Sequence, residues 1–284
     1  MKTMKCIHHT DLDGLCSAAI VNLVYPNIQN IPMDYDYPQP KVNENDIVIM
    51  VDFHLQPFSR MCAMKDKVKQ LVWIDHHRRA MKEAAETNCT FTGLRREGTA
   101  ACELAWEYFM HSPVPEVVKL LGAYDVHNLS NEVLLFQYGM RSYPATNFKP
   151  DNQMWKVLLT TADPESTMEA IDTIEKRGAP VLTHVDNTYK DYFIKNGFPL
   201  RFKGYNAIAV NIGSASSRLF DCVKNIDNFD ILITFVLNRN TEWVVSLYAQ
   251  DLNIDVSAIA CEYGGGGHKG AAGFTVKKLP FSIN

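Results

Sequence analysis

Two short segments concentrate the residue types that handle metals and phosphates. His8-His9-Thr10-Asp11-Leu12-Asp13-Gly14 sets two carboxylates one residue apart beside two imidazoles, and Asp75-His76-His77 repeats the combination further along. Carboxylate oxygens with imidazole nitrogens form a hard, mixed donor set suited to manganese or magnesium. Carboxylates one residue apart at a strand end can point to different ions. Each segment also has a plainer use. Asp11 and Asp13 can cap a helix starting near Leu15, and His76-His77 can be a surface pair. Asp52 and Asp125 are single acids, a type that caps turns more often than it binds ions. Much later, Gly264-Gly265-Gly266-Gly267-His268 brings backbone N–H groups with no side chains in the way. Such a run is able to form an anion-binding concavity, with His268 and Lys269 adding positive charge.

The elements that must position these groups alternate in type. Lys5 to His9 reads as a strand, followed by a helix from Leu15 to about Leu23 that stops at Tyr25-Pro26. Asp46 to Val51 and Leu71 to Ile74 are continuous apolar runs, typical of buried parallel strands, and they end in Asp52 and Asp75. Helices are expected over Leu55–Lys69, over Thr99–His111 with Thr99 as cap, and over Val114–Tyr124, just before Asp125. The order βαβαβ predicts an α/β chain whose N-terminal sheet is mostly parallel, with helices on both faces. Ligands of such sheets bind beyond the carboxyl ends of the strands, where these acids and histidines would gather. That convergence is what a two-metal centre requires, with ions ~3.5–4 Å apart and a bridging carboxylate.

Further along, Met154–Thr160 and Pro164–Tyr192 read as helices, the second broken by Gly178 and Pro180. Strands follow over 207–210, 231–236 and 243–248, then a helix over Asp255–Tyr263 that feeds the glycine run. The expected organisation is a catalytic domain over 1–150, a helical linker over 151–199 and a smaller α/β domain over 200–284.

Composition narrows the function classes. The 284 residues are 46% hydrophobic and 21% charged, with a formal net charge of −4. That balance suits a globular protein and argues against one that coats long nucleic acid, which needs many phosphate neutralisations. No run approaches the ~18 apolar residues of a membrane helix, and Met1-Lys2-Thr3-Met4-Lys5-Cys6-Ile7 leads straight into His8-His9 and polar residues, with no room expected for a signal-peptide core. The seven cysteines are odd in number, scattered and without a Cys-x-x-Cys pair. They read as buried free thiols in a reducing cytoplasm.

Asp11-Leu12-Asp13-Gly14, Asp52, Asp75-His76-His77, Asp125 and the late Gly264–His268 motif, in this order and spacing, resemble the DHH phosphoesterase superfamily over almost the whole chain. The glycine motif resembles the DHHA1 subgroup, which includes nano-RNases, cyclic-dinucleotide phosphodiesterases and RecJ-like exonucleases. The resemblance implies two divalent ions, with manganese expected and magnesium as the other choice. His9, Asp11 and Asp52 would hold one ion; Asp13, Asp52, His76 and Asp125 would hold the other. His8 competes with His9, which is preferred by the family pattern. His77 would contact the scissile phosphate with Asp75 orienting a histidine, and Gly265, Gly266, Gly267 and His268 would bind substrate. Many members carry Ser-x-Arg-Ser on the preceding strand, where this chain reads Ser246-Leu247-Tyr248-Ala249; Arg218 or Arg239 is the candidate replacement, and Tyr248 a candidate base stacker. The implied activity is hydrolysis of short oligonucleotides or small nucleotide phosphodiesters, with a homodimer as the implied assembly. A pyrophosphatase or exopolyphosphatase, and a non-catalytic nucleotide-binding protein, are the alternatives.

Overall fold

The computed structural model describes residues 3–35, 37–160, 163–213, 215–251 and 253–282; Met1 and Lys2, at the head of the polar N-terminal run, lie outside them. The chain divides into two compact units, 1–182 and 183–284.

The first unit opens with strand β1 (Met4–His9), helix α1 (Leu12–Val24), β2 (Gln29–Met33), β3 (Ile47–Val51), α2 (Ser59–Lys67), β4 (Gln70–Ile74) and α3 (Arg78–Ala85). It continues as α4 (Ala101–Met110), α5 (Glu116–Asp125), α6 (Asn131–Arg141), α7 (Gln153–Thr160) and α8 (Pro164–Asn196), the last running on into the second unit. All strand pairs are parallel, in the order β2-β1-β3-β4. The apolar runs Val48–Val51 and Leu71–Ile74 are buried because two cores cover the sheet's two faces. One contains α1, α4 and α5 side chains such as Ile20, Leu104 and Leu121; the other contains Phe58, Met61 and Trp73.

Four expectations need correction. Thr99 does not cap α4: the cap position is Ala100, without a side-chain bond, and the free N–H groups of Ala101 and Cys102 donate instead to Asp13. The second late helix is not broken. α8 runs through Gly178 and Pro180 as one element of 33 residues. A side chain at 178 would collide with the Leu135 carbonyl of α6, so the glycine marks a close helix crossing. The buried stripe Ile171, Ile174, Gly178 and Leu182 carries the helix past a proline, which in a helix interior costs ~3 kcal/mol through its missing N–H and its ring. The cysteines are not all free thiols, since Cys62 of α2 and Cys89 form a disulfide with their Cα atoms 6.0 Å apart. Finally, α2 starts only at Ser59 rather than near Leu55.

The second unit is built on strands β5 (Gly197–Phe202), β6 (Tyr205–Asn211), β7 (Ile231–Leu237) and β8 (Trp243–Ala249), followed by helix α9 (Val256–Glu262), β9 (Gly266–Gly267) and β10 (Ala271–Val276). Their order is β5-β6-β7-β8-β10-β9. Only β6 and β7 are parallel neighbours, so the sheet is mixed. Phe235, Val245, Leu247 and Val256 centre one face, and Val210, Leu219 and Phe220 the other. Among the described residues, no helix is long and apolar enough to cross a membrane.

Candidate metal centre

The chain leaves β1 at His9 and turns at once into α1. Asp11 is the N-cap of that helix: its backbone is extended and its Oδ1 accepts from Gly14 N at 2.9 Å. Gly14 is required here, because a Cβ would lie 2.5 Å from the His9 carbonyl oxygen. The turn leaves Asp11 Oδ2 2.8 Å from His9 Nδ1. Asp13, two residues past that cap, is 3% exposed. Its oxygens accept from Ala101 N at 2.9 Å and Cys102 N at 2.7 Å, so one carboxylate docks α1 on α4 and meets the positive end of that helix.

Asp52 follows β3 directly. Its φ of 53° is left-handed, a conformation costing a non-glycine residue ~1–3 kcal/mol and concentrated at functional sites. Its N–H still pairs with Ile74 O at 2.9 Å, so the sheet holds the backbone while the carboxylate turns across the strand ends. Asp52 Oδ2 is 3.7 Å from His9 Nδ1, and Oδ1 is 3.3 Å from His76 Nε2. His76 sits two residues past β4 and is 2% exposed. Its Nε2 also lies 3.8 Å from Asp13 Oδ2 and 3.1 Å from Asp125 Oδ2. Asp125 ends α5, where the helix dipole disfavours a carboxylate.

Asp75 lies beneath this cluster, fully buried. It accepts from the N–H groups of His76 and His77, from Trp73 Nε1 at 3.2 Å and from His77 Nδ1 at 2.6 Å. His54 Nδ1 approaches it at 3.6 Å and contacts the Tyr35 hydroxyl at 3.1 Å. Sequence reasoning misses His54; its position two residues past Asp52, at the same strand end, is the available signal.

Charge in the cluster is unbalanced. Burial, and then the Asp13 and Asp11 carboxylates, push Asp52 well above the ordinary carboxylate range. Burial, and then Asp13 and Asp52, do the same to Asp125. Burial also opposes ionisation of Asp11, but its hydrogen bond with His9 outweighs that and brings it to about 2, while His9 rises to about 11. Burial would lower His77, yet Asp75 raises it to about 9. Asp52 Oδ2 is buried and accepts no hydrogen bond from the described residues. An orphaned oxygen among crowded carboxylates and imidazoles is the environment a divalent cation satisfies, so these residues fit such an ion. Among the described residues four donor groups meet the geometry: His9, Asp11 and Asp52; Asp13, His76 and Asp125; Asp52, His76 and His77; and His54, Asp75 and His77. His8 is in none of them; its Nδ1 is 2.7 Å from the His9 carbonyl oxygen.

The remaining sequence candidates lie in the second unit. Gly265 and Gly267 pack on β10, where a Cβ would lie 2.5 Å from Phe274 Cβ and from Ala272 Cα respectively. Gly266 pairs with Gly273 in register, and His268 N donates to Ala271 O at 2.7 Å. Arg218 makes two bonds to Asp186, at 2.6 and 2.8 Å. Tyr248 donates to Ala215 O at 3.1 Å.

Residues 4–133 match the family described as the DHH family, N-terminal domain. No curated protein matches the chain in sequence. Among solved structures, the chain is similar to the pGpG-specific phosphodiesterase PggH of Vibrio cholerae at 12% identity and a TM-score of 0.53, covering 96% of this chain and 93% of that one. It is also similar to the DHH domain of a protein described as a member of a family of ribosomal proteins, at 13% identity and a TM-score of 0.52 over 97% of this chain and 82% of that one. At such identities these likenesses establish a shared fold. With the family match spanning β1 through the start of α6 and every strand-end acid described above, residues 4–133 form a DHH-family N-terminal domain.

Proposed function

We propose that the protein is a metal-dependent phosphodiesterase that hydrolyses short oligonucleotides or small nucleotide phosphodiesters. The observation that carries this is Asp52, whose two oxygens are shared between His9 on one side and His76 on the other, as a bridging ligand needs. His9, Asp11 and Asp52 would hold one ion, and Asp13, Asp52, His76 and Asp125 the second, with manganese favoured by the O/N donor set. Bound divalent ions there supply an acidified water and neutralise charge on the phosphoryl oxygens. Asp75 holds the proton of His77 on Nδ1 and fixes the ring's orientation, so that His77 meets the scissile phosphate as a positioned donor. The DHHA1 resemblance supports substrate contacts from Gly265, Gly266, Gly267 and His268. Arg218, bound to Asp186, would contribute by ordering its own segment.

Product chromatography tests the reading. The protein and an Asp52→Asn variant are incubated with manganese and a dinucleotide, a pentanucleotide, a cyclic dinucleotide, pyrophosphate or polyphosphate. Mononucleotides formed only by the unmutated protein are expected. Orthophosphate from the anhydrides alone would replace the reading with a phosphoanhydride hydrolase, and no turnover would replace it with a nucleotide-binding protein.

A further inference from the structure

The first unit contains a cavity of about 580 Å³ lined by none of the residues in the metal-binding groups. Its volume is in the range of small-molecule sites, ~300–1,000 Å³. The walls are Leu15, Ile28, Pro32, Phe148 and Pro150, and the polar lining includes His8, Asn30, Lys149 and Asp151. Thr10 also lines it, and Thr10 stands between His9 and Asp11 in the chain, so the cavity adjoins the turn that carries two of the cluster's residues.

The polar groups define what the cavity accepts. His8 is 1% exposed. Its Nδ1 lies 2.7 Å from the His9 carbonyl oxygen, which can only accept, so the ring proton is on Nδ1. Nε2 is therefore a buried acceptor, and it has no hydrogen-bond donor among the described residues. A buried acceptor left unmade costs ~1–3 kcal/mol, a cost that a ligand N–H would remove. Asn30 exchanges two bonds with Asn22, at 2.9 and 3.1 Å, leaving one N–H and one acceptor site of its amide for a ligand. An occupant thus has a flat apolar body for the Leu15, Ile28 and Phe148 walls and an edge rich in N–H donors.

We infer that this cavity is a nucleobase subsite, holding the base of the nucleoside attached to the phosphate at the metal centre. The inference rests on the phosphodiesterase reading for its choice of ligand. An amino-bearing base, adenine, guanine or cytosine, has a donor for His8 Nε2, and so does uracil through its ring N–H. Base-edge recognition of this kind discriminates strongly because a base without the donor leaves Nε2 unpaired.

Calorimetry on the full chain with manganese tests it, using nucleoside 5′-monophosphates against ribose 5-phosphate, which has no base. The unmutated protein is expected to bind adenosine or guanosine monophosphate about 10-fold or more tightly than ribose 5-phosphate. Ala145 is exposed on the cavity rim, so Ala145→Trp fills the cavity from outside the core. It should remove most of that advantage and leave ribose 5-phosphate affinity unchanged. His8→Phe should reduce the base-dependent advantage, and His8→Gln, which restores an acceptor, should recover part of it. A base-dependent advantage that survives both Ala145→Trp and His8→Phe, or that is absent from the unmutated protein, overturns the subsite. Turnover is read separately. Dinucleotide hydrolysis with no base-dependent binding sinks the subsite alone, whereas base-dependent binding lost in the variants without any hydrolysis sinks the enzymatic reading alone.

Discussion

The strand-end cluster of the first unit and the glycine run of the second unit are comparable in sequence, each a dense polar or glycine-rich motif, but they are built on opposite terms. The cluster is left unsatisfied: Asp52 is strained, buried and short of a hydrogen bond, and Asp125 sits at the wrong end of a helix. The glycine run is satisfied by the fold itself, with Gly265 and Gly267 pressed on β10 and His268 N bonded to Ala271 O. A motif whose groups are held against their own preferences points to a ligand. A motif whose groups are all used by neighbours states first how the chain packs.

The strongest way to break this contrast is Asp52→Asn. Asparagine tolerates left-handed φ, so the fold should persist while turnover falls by ~10³-fold or more, ~4 kcal/mol in the barrier. The metal-free variant should be more stable than its parent by ~1 kcal/mol, because the like-charge crowding is gone. Assay and denaturant melts of the same preparation read both, and a destabilised variant would contradict the strained-cluster description. Gly265→Ala should act in the other sense. With no room against Gly273 and Phe274, it should destabilise the second unit by ~3 kcal/mol in a denaturant melt. A neutral result would return the run to a flexible loop.

Metal binding sharpens the first half of the comparison. Asp52 and Asp125 have raised values in the folded state, so their contribution to stability is complete below the unfolded carboxylate pKa of ~4 and is lost as pH rises through the raised values. A cation replaces those protons. Manganese at 100-fold its dissociation constant should stabilise by ~2.7 kcal/mol, and the thermal shift should be larger at pH 8 than at pH 5. Equal shifts would show that the ion binds elsewhere. His54→Phe should lower kcat by about 10-fold with KM little changed, since Asp75 loses one partner while the direct cluster stays intact. The smallest effect belongs to Arg218. Asp186 is 43% exposed, so breaking their pair should cost only ~0.5–1 kcal/mol. Arg218→Lys and Asp186→Asn should cost the same in thermal melts, and a loss of substrate affinity confined to Arg218→Lys would make it a ligand contact.

Legibility in the sequence follows how local the cause is. β3 and β4 are readable as unbroken apolar runs because both of their faces are buried, and the acids that end them follow. β2 and β5 are not. Each is an edge strand containing a proline, Pro32 and Pro199, which weakens the strand signal without harming an edge. Thr99 reads as the cap of α4 because the true acceptor, Asp13, lies 88 residues away in sequence from Ala101. His54 has only its place two residues past Asp52 as a signal, because its partners, Tyr35 and Asp75, come from other strand ends.

By itself, the sequence determined which donor atoms are available, and that alternating apolar runs and helices bring them to one edge of a parallel sheet. Residue type and periodicity are local properties, and both survive without coordinates. Only the tertiary structure decided that His9 rather than His8 faces Asp52, that Asp13 also anchors α4, that Gly178 and Pro180 leave α8 whole, and that Cys62 meets Cys89. These depend on distances between segments remote in the chain, which packing sets and no local pattern records.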